Sequence, residues 1–321
     1  MLPEELKKLN NYKTITFVGC IFLLIAITAW LFNISSSIQD KFFKQIALAI
    51  FLIPLILVPI GFKMFFISKV GDVFIPYVLS QFKDWKLVFS RTETTRIDKT
   101  WPLEVLPPKD IATSLIFPIG FFSTPFLLDS FQSSDEKKAI SLIKFNYSEK
   151  LFSFSNNRHN KNHTSYMTLI TVKTFKNLHS TTTFKTYESD NFDQYLKSKL
   201  PEIDLPSADS ADIEVTGNDI NIAEKLATPE LFSTLQTLKE EFDLHFAKAV
   251  FYDNLIIFAL KHQEYTSFKY ETFFIKLPIF KDIDFSLLKQ AAVNFKVLTD
   301  LANNAQDFTK NTEDIVYMDK Q

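Results

Sequence analysis

Any chemistry in this chain of 321 residues has to begin at RHNKNH, residues 158–163, where His159 and His163 stand four positions apart among asparagines and cations. On a helix that spacing puts two imidazoles on one face, as in zinc sites built on H-E-x-x-H. The neighbouring residues argue against it. Asn156, Asn157, Asn160 and Asn162 are weak helix formers, and the stretch separates two strand-like runs, where a hairpin loop is expected. Asn160 stands where a glutamate base would be needed. Further ligands would have to come from His179, Glu149 or Asp190, none at a supporting spacing. His159 and His163 are therefore weak metal candidates, and the expectation is a solvated loop with no metal and no cofactor.

Other site chemistries are narrowed by composition. The five glycines, Gly19, Gly61, Gly71, Gly120 and Gly217, are each isolated, so neither a P-loop nor a dinucleotide turn can be written. Gly217, in EVTGND, reads as a turn residue with positive φ. No G-x-S-x-G elbow occurs, and the single cysteine, Cys20, lies in an apolar run, which leaves no Cys-His nucleophile, disulfide or Cys-rich zinc pattern. Glu240, Glu241 and Asp243 read as the solvated side of a helix rather than an acid/base pair. Beyond residue 66 the chain carries 29 basic against 34 acidic side chains, a poor balance for nucleic acid.

The elements that must carry any function start with lipid-type sequence. Residues 14–32, TITFVGCIFLLIAITAWLF, hold no charge over 19 residues, about 28 Å of helix against a hydrocarbon core of roughly 30 Å. A second apolar run spans 46–66, with Pro54 and Pro59 inside it, tolerable in a membrane helix. A signal peptide is the weaker reading of the first run, which is too long for an h-region and lacks a small-x-small cleavage site. The two runs read as a transmembrane hairpin over residues 1–69. Lys7, Lys8, Lys13, Lys63, Lys69 and Lys83 flank it against Lys41 and Lys44 in its connection, which favours both ends in the cytoplasm.

Next, Phe74, Val78, Phe82 and Trp85 recur at helical spacing, a membrane-proximal helix started or interrupted near Pro76. With the polar, proline-bearing residues 91–110 it makes a connecting region over 70–110. Residues 111–308 read as a domain of short strands followed by helices, and 309–321 as a tail. SLIKFNYS, KLFSFS, TSYMTLITVKTF and STTTFKTY are strand-like. TPELFSTLQTLKEEF is a helix capped by Thr228 with Pro229 at its first position and Leu231, Leu235, Leu238 and Phe242 on one stripe. HFAKAVFYDNLIIFAL is a hairpin turning at Asp253-Asn254, and a last helix from about Asp284 turns Leu288, Ala292, Phe295 and Leu298 inward. The apolar segment 114–128, SLIFPIGFFSTPFLL, reads as a buried strand pair, a membrane-facing patch or a reentrant segment, and Leu115, Phe117, Phe121, Phe122 and Phe126 could line a ligand cavity.

FKNLHSTTTFK at 175–185, IEVTGND at 213–219, ATPELFSTLQTLKEEF at 227–242, the hairpin through DNLIIFAL and the closing helix up to NAQDF together resemble the DUF3137 family of bacterial membrane-anchored proteins of unknown function, over about residues 63–308. Asn177, Leu178 and His179 stand where that family usually has a glycine and bulky apolar residues. The resemblance implies no catalytic residue, and it implies a LemA-type membrane protein as a partner.

The expected fold class is α+β: an N-terminal two-helix transmembrane hairpin, then a mostly antiparallel sheet domain with packed helices. The expected function is a membrane-anchored cytoplasmic binding or adaptor domain that recruits a protein or lipid partner at the bacterial inner membrane, without catalysis and without nucleic acid. The alternative is a membrane-bound hydrolase with an unrecognised acid/base or metal site.

Overall fold

A computed structural model describes residues 2–37, 66–90, 116, 126–150, 160–174, 177–187, 200–263, 269–278 and 281–312. The second apolar run, apart from Phe66, and the polar stretch 91–110 lie outside them, as do 117–125 of the apolar segment. The chain divides into two units: Met1–Gln81 with Ser267–Tyr270 and Ile275–Ala292, and Phe82–Thr266 with Glu271–Phe274 and Val293–Gln321. Its class is α+β, with one long apolar N-terminal helix and a large antiparallel sheet.

The first unit holds α1 (Leu2–Ser37) and α2 (66–81). It also holds the short pair β9 (Lys269–Tyr270) and β10 (Ile275–Lys276) and the start of α6 (Phe285–Asn304). Helix α2 is continuous through Pro76, whose ring lies on the exposed side, while Phe66, Ile67, Val70, Phe74 and Val78 are buried. Gly71 is needed for closeness: a Cβ there would meet the Tyr270 hydroxyl at 3.0 Å, and Tyr270 packs edge-on against Phe74 at 5.8 Å.

The second unit is built on eight antiparallel strands in the order β1-β2-β3-β4-β8-β7-β5-β6. They are β1 (Trp85–Phe89), β2 (Phe126–Ser133), β3 (Lys138–Lys150), β4 (Asn160–Lys173), β5 (Thr181–Thr186), β6 (Ile213–Gly217), β7 (Leu244–Tyr252) and β8 (Leu255–His262). One row of directly opposed residues crosses the whole sheet: Leu87, Phe131, Ile140, Ile170, Phe258, Ala249, Phe184 and Val215. Opposed residues share a face, and helices cover this one. Phe295 of α6 meets Phe131 at 5.1 Å, Phe232 of α5 (Pro229–Glu241) meets Phe184 at 6.0 Å, and Phe308 in the 3-10 turn Ala305–Thr312 meets Phe258 at 6.0 Å. The other face buries Leu127, Ile143, Phe145, Met167, Leu169, Phe246, Val250 and Ile257.

Three bulges sort side chains between these faces. Between Leu87 and Phe89, Leu127 and Asp129, and Leu244 and Phe246, one strand advances two residues while its partner advances one. An extra residue reverses the alternation. Leu127 therefore joins the second face although Asp129 and Phe131 lie on the helix side, and Leu244 turns to the helix side although Phe246 and Val250 lie on the second face.

Helix α5 forms as its sequence suggests. Thr228 Oγ1 accepts from the Leu231 N–H, Pro229 opens the first turn, and Leu231, Phe232, Leu235 and Leu238 are buried. The hairpin β7–β8 turns at Asp253-Asn254, with Asp253 at φ 46°. Smaller helices α3 (Pro206–Asp209) and α4 (Ile220–Leu226) flank β6. Three expectations change. Pro76 neither starts nor interrupts α2, which runs unbroken from 66 to 81. Trp85 is not in a helix: α2 ends at residue 81, and Trp85 opens β1 opposite Ser133. Gly217 has no positive φ; it closes β6 opposite Thr182, where a Cβ would meet Ile203 Cδ1 at 3.0 Å and the Thr181 carbonyl at 3.1 Å. Of the segment 114–128, Ile116 is buried and Phe126, Leu127 and Leu128 open β2.

Phe295 has ring contacts with Phe82, Trp85, Phe131 and Phe273 and no exposed surface. Truncation to alanine should cost about 3–5 kcal/mol, read as a lowered melting temperature. Leu235→Asp, at a fully buried position, should lower it as severely, because a carboxylate would be left in apolar surroundings. A melting temperature unchanged by Leu235→Asp would mean that the stripe is not core.

Candidate functional site

The feature of α1 that calls for explanation is its division into two kinds of surface. Its first turns place Leu6, Leu9, Asn10 and Lys13 at i, i+3, i+4 and i+7, one face of a helix, and Leu6, Leu9 and Lys13 are buried. Asn10 and Lys13 bond residues 281–283. The Asn10 carboxamide donates from Nδ2 to the Ile283 carbonyl at 2.9 Å and accepts the Ile283 N–H at 2.8 Å, the pair of bonds a neighbouring strand would supply. Lys13 Nζ donates to the Lys281 carbonyl and lies 3.9 Å from an Asp282 carboxylate oxygen. A lysine can be buried this way because its charge meets a carbonyl and a carboxylate while its stem packs.

Above Lys13 the surface inverts. Glu4–Trp30 is long and apolar enough to cross a membrane, and Ile15, Phe22, Ile25 and Trp30 are each more than half exposed. Two hydroxyls on this stretch bond within the helix: Thr14 Oγ1 donates to the Asn10 carbonyl at 3.0 Å and Thr28 Oγ1 to the Leu24 carbonyl at 2.7 Å. Exposed aromatics mark its ends, Tyr12 below and Trp30 above. At about 1.5 Å per residue they stand about 27 Å apart along the axis.

Downstream of the docked segment, Asp284 caps α6. Its carboxylate accepts the Ser286 N–H at 3.0 Å, the Leu287 N–H at 3.3 Å and the Ser286 hydroxyl at 2.5 Å. The Ser286 hydroxyl, then the backbone donors, hold its pKa below the usual carboxylate value.

The second unit has a buried polar group of its own. Asp129, on the helix side two residues from Phe131, accepts from the Thr272 hydroxyl. His262 bonds Thr168 Oγ1 through Nε2 at 2.9 Å. Its ring stacks on Phe274 at 4.4 Å, and Phe274 stacks on Phe242 at 4.3 Å. Phe274 is at φ 56°, an unfavourable backbone for a bulky residue, held between the two rings. Asn294 Nδ2 ties the Phe273 carbonyl at 2.7 Å. On the other face, the Lys185 and Lys261 ammonium groups lie 4.9 and 5.7 Å from the Phe246 ring centre. Asp129 has no exposed surface and His262 only 1%. These groups are closed to solvent and tie buried elements of the second unit together.

His159 lies outside the described residues, as does Asp190. His163 is in β4 opposite Tyr147, and Glu149 is in β3 opposite Lys161. The loop reading of RHNKNH is thereby corrected for its last four residues: Asn160–His163 pair with Tyr147–Lys150 as strand, cross-strand pairing outweighing the weak preferences of asparagine. His179 takes φ 46° in a tight turn whose Asn177 Oδ1 accepts the His179 N–H at 2.9 Å. Among the described residues no three of His, Cys, Asp and Glu converge as a metal site. Asn10, Asp129, His262 and Phe274 were missed by sequence reasoning. Only Asn10 carried a signal, as a polar residue on the Leu6–Leu9–Lys13 stripe. No protein-family model, curated protein or solved structure matches the chain.

The cap on α6 should titrate. A carboxylate with a depressed folded pKa contributes stability that is fully present above its unfolded pKa and is lost as pH falls through the folded one. Protection of the Ser286 and Leu287 amides should hold down to the usual carboxylate range and fall below it. Asp284→Ala should show low protection with no such step when hydrogen exchange is followed against pH.

Proposed function

We propose that this protein is a membrane-anchored binding or adaptor protein of the bacterial inner membrane. Its α+β domain lies on the cytoplasmic side and recruits a protein or lipid partner there without catalysis. The observation that carries this reading is α1. A helix whose apolar side chains face outward, in which Thr14 and Thr28 bond the helix's own carbonyls and whose ends carry Tyr12 and Trp30, suits lipid, where no water is present to satisfy backbone or hydroxyl groups. Burying those side chains in a bilayer would gain about 1.5–3 kcal/mol for each large apolar residue.

The run 46–66 is read as a second span that returns the chain to its starting side. The excess of lysine on the outer flanks supports the cytoplasm as that side. Membership of the DUF3137 family, and with it a LemA-type membrane partner, is part of the same proposal and rests on the five segments quoted above. The mechanism is confinement: a folded domain held at the bilayer meets membrane partners at high effective concentration without needing new contacts.

Topology tests the reading. A reporter that folds only in the cytoplasm, fused after Gln321, should be active. A cysteine at Ser36, in a Cys20→Ala background, should react with an impermeant thiol reagent added from outside. The chain should stay with the membrane after alkaline extraction, and Leu24→Arg with Ile25→Arg should keep the first span from inserting and leave the cysteine at position 36 unlabelled from outside, since each arginine costs about 2.5–3.5 kcal/mol at a span's centre. A C-terminal reporter active only outside, or wild-type protein extracted as soluble, would sink the proposal.

A further inference from the structure

Four consecutive residues in the first unit each have a task. Lys281 supplies a carbonyl and Asp282 a carboxylate to Lys13, Ile283 exchanges both backbone bonds with Asn10, and Asp284 caps α6. We infer that residues 281–284 are a latch, through which docking of the base of α1 sets the order of the first turn of α6. The physical reason is adjacency. A cap works only if its residue leaves the helix in extended geometry and presents its oxygen to the N2 and N3 amides. The backbone that delivers Asp284 is fixed by the bonds of α1 to the three residues before it.

Little else holds that turn. Phe285 is 42% exposed, Ser286 is exposed, and burial begins in earnest only at Leu288. Tyr77 touches the Phe285 ring edge-on at 5.6 Å, a contact at a surface. Once Asn10 and Lys13 let go, residues 281–283 regain backbone freedom, the carboxylate is no longer aimed, and the turn frays. The physiological meaning of the latch rests on the anchoring reading, in which α1 is the membrane element: displacement of that helix would be felt at α6.

Coupling of this kind is reciprocal, since whatever free energy docking lends to the cap the cap lends to docking. Hydrogen exchange on the full chain in detergent micelles tests it in both directions. Asn10→Ala should speed exchange about tenfold over residues 281–287 and leave β3, β4, β7 and β8 unchanged. Asp284→Ala should speed exchange at 286–287 and also at residues 6–13 of α1. Should Asn10→Ala fail to fold, Asn10→Asp keeps an acceptor for the Ile283 N–H while repelling its carbonyl, and should give the same pattern. Faster exchange at Ile283 with Ser286 and Leu287 unaffected, or Asp284→Ala without effect on residues 6–13, overturns the latch. Failure of membrane anchoring would appear in the extraction experiment and would not alter this exchange pattern.

Discussion

The carboxamide of Asn10 returns to Ile283 both hydrogen bonds that a neighbouring strand would have given it, and the first unit is organised around that exchange. Ile283 is 1% exposed, so its amide and carbonyl lie where water cannot serve them, and leaving either unmade would cost about 1–3 kcal/mol. A carboxamide is the side chain that can donate and accept at once in the spacing of a peptide group. With Leu6 and Leu9 buried beside it, the polar clamp and the apolar contact fix the base of α1. The remainder of that helix is then free to present apolar surface that no described part of the protein covers.

In the second unit the governing device is the bulge. A sheet crossed by one unbroken row of opposed residues is regular in its middle, and the three bulges decide what leaves the regular pattern. One turns Leu127 away from the side of Asp129 and Phe131 to the second face; another turns Leu244 to the helix side, away from Phe246 and the two lysines over its ring. The buried Asp129 keeps to the regular alternation and finds Thr272 already placed, the condition under which burial is affordable.

How much of this could be read in the residues follows the range of the physics. Thr228-Pro229 announces α5 because capping is settled within four residues, and Asp253-Asn254 announces the β7–β8 turn for the same reason. Phe74, Val78, Phe82 and Trp85 keep a helical spacing past the point where the helix stops, because Trp85 answers to Ser133 on another strand. RHNKNH looks like a loop by propensity, yet its second half is strand through pairing with Tyr147–Lys150. Gly217 looks like a turn by type, yet what demands a glycine is the approach of Ile203. The buried ties of His262 and Asp129 depend on partners 94 and 143 positions away, and nothing local announces them.

The longest of these separations has a consequence in time. Asn10 and Ile283 are 273 positions apart, so on the ribosome one is made near the start of translation and the other near its close. At about 5–20 residues per second, the interval is on the order of 15–50 seconds. Throughout it Asn10 and Lys13 have no Ile283 or Lys281 to bond. The residues of the helix are therefore complete long before the segment that fixes its base exists.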